Sequence, residues 1–476
     1  MHQQNWRNSA MIEREKICRN FEIPEEAIEL PTRGGFAEEP EFVKDSTGRT
    51  GDFYRFTGII RPIDPEAPDI RFTLGIPVKN NKKLLQCGGA ACDGFLAPVE
   101  FYNVGRGQTS PSPMKAGYCV LGNDSGHQID LADPWRLTWA LNEESLRNFA
   151  YEAQKKCRDA AVWIYSQIFG CPPERVYFGG GSNGGREGMQ MAQKFAESYD
   201  GVVCLFPVLY WVQKLLADER NANLLAALGE EAWISPETYR EVQKTVLDIC
   251  GDLPHSLAKA KEPEVLDALS KILCEKQLQV LKSFASPMEL PFPLAYGKVI
   301  FPGYPVFQGA ALSDTYSNKY GENAASRSCA DASDGVVRGM ILQELDADPQ
   351  AFVPKEHEAD LLRVSKLLDV YGPELDDFFN AGKKLLLVQG TADVDVSCEG
   401  TDLFYQKLKE KYGNSLLENL RYFVIPGYAH GNGERMHLDT DLVEILDCWV
   451  ENGIVPDTLI AVDYNDQHCV TISAEP

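Results

Sequence analysis

Arg175-Val176-Tyr177-Phe178-Gly179-Gly180-Gly181-Ser182-Asn183-Gly184-Gly185-Arg186 is the stretch on which the fold turns. Arg175–Phe178 is a short β-run, and a helical pattern through Met189, Ala192 and Phe195 follows the glycines. Gly180–Gly184 therefore matches G-x-S-x-G between a strand and a helix. That pattern sets a serine on a sharp, strained turn at the top of a sheet, and the turn needs small residues on both sides. A phosphate-binding loop would need a Walker lysine, or a G-x-G-x-x-G with a ribose-binding acid downstream, and the sequence has neither. A glycine-rich turn without chemistry is the plain alternative.

The neighbouring segments repeat the same alternation. Arg55–Ile60 and Ile70–Pro77 read as strands, the second with period 2 through Ile70, Phe72, Leu74 and Ile76. Lys83–Gln86 and Tyr118–Leu121 read as further strands. A long helix carries Leu146, Phe149, Ala150, Ala153, Cys157, Ala160, Ala161, Ile164 and Ile168, with Asn142 as N-cap and Gly170 as C-cap. Gly201–Phe206 is another buried strand. The first fifty residues look polar and irregular. Residues 207–377 are mostly helical, and the strand–helix rhythm resumes at Lys384–Val388, Leu420–Ile425 and a final helix through Leu442, Ile445, Leu446 and Trp449. This pattern predicts an α/β fold with a mostly parallel sheet flanked by helices. Residues 1–206 and 378–476 would form the catalytic domain, and 207–377 a mainly helical lid inserted within it. A length of 476 agrees, because one core stops growing near 250–300 residues.

Composition narrows the partners. The chain carries 46 Lys+Arg against 70 Asp+Glu, a net charge of −24 that repels nucleic acid and anionic lipid. No apolar run is long enough to span a bilayer, so neither nucleic acid nor membrane is expected. The first residues hold no apolar leader core, and the 13 cysteines lack close metal spacing. Both features predict reduced thiols in the cytoplasm; a leader already removed would instead mean secretion. Cys87 and Cys92 are expected to serve packing. The oligomeric state is left open.

A nucleophilic serine needs a base and an acid in the order Ser…Asp/Glu…His. His430 follows the Leu420–Ile425 strand in Pro426-Gly427-Tyr428-Ala429-His430. Asp393 follows Lys384–Val388, with Asp395 as its rival. Ser182, His430 and Asp393 are thus expected to form the catalytic triad. Oxyanion donors are expected at the N–H of Asn183 and of Gly89, with Gly88 as the alternative to Gly89. Tyr210 and Trp211 could wall an aryl acyl group or simply pack the lid. His127 is expected to make a structural hydrogen bond, and Arg186 to pair with a buried acid.

These motifs resemble the tannase/feruloyl esterase family of α/β-hydrolases. The resemblance is strongest over Asn148–Val203, and Gly117–His127, Gln389–Asp393 and Pro426–His430 are similar to further family motifs. It implies a lid and hydrolysis of a small ester, often of an aromatic acid such as gallate, a hydroxycinnamate or a terephthalate monoester. An acyltransferase or thioesterase using the same triad, and a non-catalytic binding protein on the same fold, are the competing readings. The family usually joins a cysteine before the serine to one after the histidine as a disulfide; here those positions are Gly181 and Gly431. The family's lid also often carries a calcium loop. Asp331 and Asp334 look like its remnant, but Arg338 stands where a carboxylate would be. A cation there disfavours the ion, so no cofactor is expected.

Overall fold

The computed structural model describes residues 14–100, 104, 110–251, 255–310, 323, 330–431, 435–464 and 467–476. Nine strands precede the insertion: β1 (Phe21–Ile23), β2 (Gly35–Ala37), β3 (Glu41–Val43), β4 (Phe53–Ile60), β5 (Ile70–Pro77), β6 (Lys83–Cys87), β7 (Cys119–Asn123), β8 (Arg175–Gly181) and β9 (Gly201–Leu205). The short strands β10 (Met288–Glu289) and β11 (Ile300–Phe301) lie within it. After it come β12 (Lys384–Gly390) and β13 (Leu420–Ile425). The main sheet runs β1-β2-β4-β5-β7-β6-β8-β9-β12-β13, with β3 also on β4. It is parallel from β7 to β13 and antiparallel on the β1–β5 side. The fold is that of an α/β-hydrolase.

The parallel strands are apolar on both faces because helices cover both faces. Leu385, Leu386, Leu387 and Val388 in β12 are all fully buried, as are Val202, Val203 and Cys204 in β9. Each such leucine contributes roughly 1.5–3 kcal/mol by leaving water. The helix Ala153–Phe169 buries Ala153, Cys157, Ala160, Ala161 and Ile164 and packs on β5 and β7. Its lead-in starts where expected: Asn142 Oδ1 accepts the Ser145 N–H at 2.9 Å, and Gly170 ends the helix at φ 77°. A π-helical turn at Asn148–Glu152 interrupts the run and was not legible in the spacing.

Two regions differ from expectation. The first fifty residues are not irregular throughout, because β1, β2 and β3 extend the sheet's antiparallel side. Each has three residues, too few to display a period, and each gains its order from its partner strand. A small antiparallel sheet also follows the last core strand: β14 (Met436–Leu438), β15 (Thr458–Asp463) and β16 (His468–Ser473).

Every strand of the main sheet lies outside residues 207–377. Between β9 and β12 the chain forms helices, among them Trp211–Leu228 and Pro236–Cys250, with the β10–β11 pair. It leaves and re-enters the sheet at adjacent strands, with Leu205 opposite Val388. Among the described residues no helix is long and apolar enough to cross a membrane.

Candidate active site

Ser182 sits between β8 and the helix Asn183–Lys194 at φ 59°, ψ −124°. A non-glycine residue at positive φ is strained and persists only where its surroundings hold it. Here the Ser182 N–H donates to the Leu205 carbonyl at 3.1 Å, and its own carbonyl accepts from the Arg186 N–H at 3.1 Å. The flanking glycines allow strand and helix to touch. A Cβ on Gly180 would lie 2.5 Å from the Gly184 carbonyl, and one on Gly184 would lie 2.7 Å from the Gly89 carbonyl.

His430 follows β13, and its Nδ1 lies 2.9 Å from Asp393 Oδ2 after β12. Asp393 is fully buried and fixed by backbone, since its Oδ1 accepts the N–H groups of Asp395 and Val396 at 2.8 and 2.9 Å. Asp395, the rival acid, contributes its backbone N–H to that arrangement and also lines the cleft. Burial works against the imidazolium, but the charge and hydrogen bond of Asp393, with Asp395 behind them, outweigh it and raise the His430 pKa. Ser182, Asn183 and His430 line one cleft of about 520 Å³. Its apolar wall includes Trp135, Val208, Trp211 and Leu215, and Lys214, Asp218 and Asp331 add charge. Lys214 and Asp218 pair at 3.0 Å.

Several expected residues fall elsewhere. The Gly89 N–H donates to Glu187 Oε2 at 2.9 Å, and the Gly88 N–H to the Gly179 carbonyl at 3.0 Å. Both groups are therefore engaged away from the cleft. Ala90, Ala91 and Cys92, further along the same turn, form its wall. Tyr210 is also outside the cleft wall: it is buried and stacks on Tyr371 at 4.6 Å within the insertion. Its neighbour Trp211 does line the cleft. Arg186 is fully buried, but its hydrogen bonds go to Asn183 Oδ1 and the Ala150 and Phe149 carbonyls rather than to an acid. It lies over the Phe149 and Trp211 rings at 5.1 and 5.4 Å. His127 is structural, with Nε2 2.9 Å from the Cys92 carbonyl and its ring on Trp139 at 3.7 Å. Burial lowers its pKa to about 4, so it is neutral near pH 7. Cys87 and Cys92 are buried, and burial pushes the Cys92 thiol up to about 12, a packing role rather than a reactive one.

Asp331 and Asp334 lie in a short helix, Asp331–Gly335, instead of a loop. Calcium loops wrap oxygens around an ion, whereas a helix fans its side chains outward. Arg338 is tied to the Ala347 carbonyl at 2.9 Å. The described residues of this segment do not fit the ion. Among the described residues, Asp393, Asp395 and His430 form the trio whose potential ligand atoms lie within 4.8 Å of one another. There the Asp393 oxygens are already committed to His430 and the backbone.

One contributor was missed altogether. Phe206, directly after β9, packs its ring 4.5 Å from the His430 ring. A Cβ on Gly181 would lie 2.7 Å from the Phe206 ring. Phe206 thus stands between the serine turn and the histidine loop, where the family's disulfide would run. Its own φ is 31°, and its N–H reaches the Val388 carbonyl at 2.6 Å. The available signal was its position at the end of a core strand next to the serine strand.

A strained serine on a strand–helix turn, in one cleft with an aspartate-held histidine, is the arrangement of serine hydrolases with the α/β-hydrolase fold, and the comparisons narrow it to carboxylic ester hydrolases. A family model for tannase and feruloyl esterase matches residues 54–475, and the chain belongs to that family. It is 29% identical over 472 residues to an uncharacterized esterase of Agrobacterium fabrum, covering 93% of this chain and 84% of that one. A probable feruloyl esterase B-1 of Aspergillus flavus is 22% identical over 394 residues, covering 74% of this chain and 72% of its own length. Feruloyl esterase B from Aspergillus oryzae superposes with a TM-score of 0.73 at 17% identity, over 92% of this chain and 90% of that one. Tannin acyl hydrolase from Aspergillus niger gives 0.71 at 16%, over 98% and 92%.

Proposed function

We propose that the protein hydrolyses a small ester of an aromatic acid through Ser182, His430 and Asp393 and an acyl-enzyme. The observation that carries this is the shared cleft wall of Ser182 and His430, with Asp393 2.9 Å behind the imidazole. His430 takes the proton as the Ser182 oxygen attacks the ester carbonyl, then gives it to the leaving alcohol. Asp393 holds the tautomer in which Nδ1 carries hydrogen and stabilises the imidazolium. Water then repeats the sequence on the acyl-enzyme and restores the serine. The oxyanion would meet the Asn183 N–H, at a helix start where N–H groups lack intrahelical acceptors, and the Ala90 N–H of the turn beside it. No metal or cofactor is required by these steps.

An aromatic acyl group is supported by the Trp135 and Trp211 walls and by the feruloyl and tannin substrates named in the relatives. The described cysteines are free thiols, which supports a reducing compartment. Mass spectrometry of alkylated, unreduced protein tests that, and several intact disulfides would overturn it. A fluorophosphonate probe should label wild-type protein and not Ser182→Ala; unlabelled, folded wild type would sink the esterase reading. Gallate, ferulate, p-coumarate and terephthalate monoester substrates should outrun p-nitrophenyl acetate in kcat/KM. Cleavage of short alkyl esters alone would defeat the aromatic-acyl assignment.

A further inference from the structure

Behind the cleft lies a buried polar cluster that the reaction as written does not use. Asp93, Ser125 and Glu187 are all buried, and none of them lines the cleft. Glu187 Oε2 accepts the Gly89 N–H at 2.9 Å, so it holds the turn that carries Ala90. Asp93 Oδ1 accepts Asn183 Nδ2–H at 2.6 Å, so it holds the residue after the nucleophile. Ser125 Oγ joins the two acids, touching Asp93 Oδ2 and lying 3.1 Å from Glu187 Oε1.

A count of protons constrains this cluster. A serine hydroxyl has one proton to donate. If both carboxyls were ionised, one of the two Ser125 contacts would set lone pairs against lone pairs in a dry site. One proton on the pair resolves this: a carboxylic acid donates to Ser125 Oγ, and Ser125 donates to the remaining carboxylate. The surrounding charges agree with one proton. The buried Arg186 charge acts on both Glu187 and Asp93 and so balances one carboxylate, not two, while its hydrogen bonds go to Asn183 Oδ1 and two carbonyls, and His127 bonds the Cys92 carbonyl. Asp124 faces the Arg71 and Gly126 N–H groups, and the Cys92 thiol stays protonated. Burial first, and then the Glu187 charge, push the Asp93 carboxyl well above its usual range. The backbone gives a second, independent sign. Ala91, Asp93 and Ser125 sit at φ 51°, 47° and 59°, strain that persists only where the surroundings fix it.

We propose that Asp93, Ser125 and Glu187 form a singly protonated brace that positions both halves of the oxyanion hole, the Ala90 turn and Asn183. They are positioning residues and touch no substrate. The proposal rests on the reading of Ser182 as nucleophile.

Steady-state kinetics with methyl ferulate and p-nitrophenyl acetate across pH test it. Glu187→Ala should lower kcat about 10²-fold with KM little changed, the scale of losing one oxyanion donor. Asp93→Asn keeps the hydrogen bonds of the protonated acid, so its kcat should stay well above that of Glu187→Ala. Wild type should lose activity at alkaline pH as the pair gives up its proton. Asp93→Asn has no such proton to lose, so its alkaline limb should move up or vanish. An unchanged kcat in Glu187→Ala, or an alkaline limb in Asp93→Asn that coincides with wild type, would overturn the brace. If Glu187→Ala does not fold, the comparison of alkaline limbs decides alone. Fluorophosphonate labelling of wild type separates the two failures. Without labelling the nucleophile reading falls; with labelling and turnover but no Glu187 effect, only the brace falls.

Discussion

Two pairs of acids flank Ser182, and they are put to opposite uses. Asp393 and Asp395 face an imidazole, which they make more basic. Asp93 and Glu187 face a serine hydroxyl, an amide and a backbone N–H, none of which offers a positive charge through a hydrogen bond. The first pair therefore acts on the imidazole and raises its pKa, whereas the brace proposed for the second keeps a proton. Identical functional groups a short way apart are put to different uses because of what they face, not because of what they are.

The comparison can be broken, starting with the largest effect. Asp393→Asn should lower kcat about 10⁴-fold, since the amide favours the wrong imidazole tautomer. A loss of tenfold or less would move the catalytic acid to Asp395. Phe206→Ala removes the ring packed on both His430 and the Gly181 turn. It should cost about 10²-fold in kcat, the scale of displacing a catalytic group by an ångström, with KM nearly constant. Trp211→Ala should raise KM for aryl esters about tenfold and leave p-nitrophenyl acetate less affected, as expected for 1–3 kcal/mol of lost apolar contact; equal effects on both would remove Trp211 from acyl recognition. Asp395→Asn should have the smallest effect, a few-fold in kcat. Its signature is a shift of the acid limb of kcat/KM. His430 must be neutral to act, and Asp395 raises its pKa, so removing that charge should move the limb to lower pH. No shift would mean Asp393 alone sets the base.

The sequence shows best what is bound to a strand end. Ser182, Asp393 and His430 each follow a core strand, so order and spacing already placed them at one edge of the sheet, where Ser182 and His430 share a cleft and Asp393 holds the imidazole. Gly89 could not be placed correctly, because what redirects its N–H is the Glu187 carboxylate from a distant helix. Tyr210 and Trp211 are neighbours with different fates, since Tyr210 finds Tyr371 and Trp211 opens the helix that walls the cleft. Phe206 carries no motif at all; only folding brings it beside His430. The long buried strands β5 and β13 could be read to the residue, whereas β1–β3 and β14–β16 are short or partly exposed and carry too little pattern.

The insertion begins and ends on adjacent strands, β9 and β12, that pair in register. In chain terms it is an ordinary crossover grown large. Its two ends are held a strand's width apart whatever lies between them, and loop closure costs only about 0.6 kcal/mol for each doubling of length. The sheet that holds Ser182, Asp393 and His430 is thus indifferent to the insertion's size. The insertion's share of the cleft wall, among it Val208, Trp211, Lys214 and Leu215, can therefore change while the sheet stays in place, and a chimaera joined at these two strands is the natural unit of exchange.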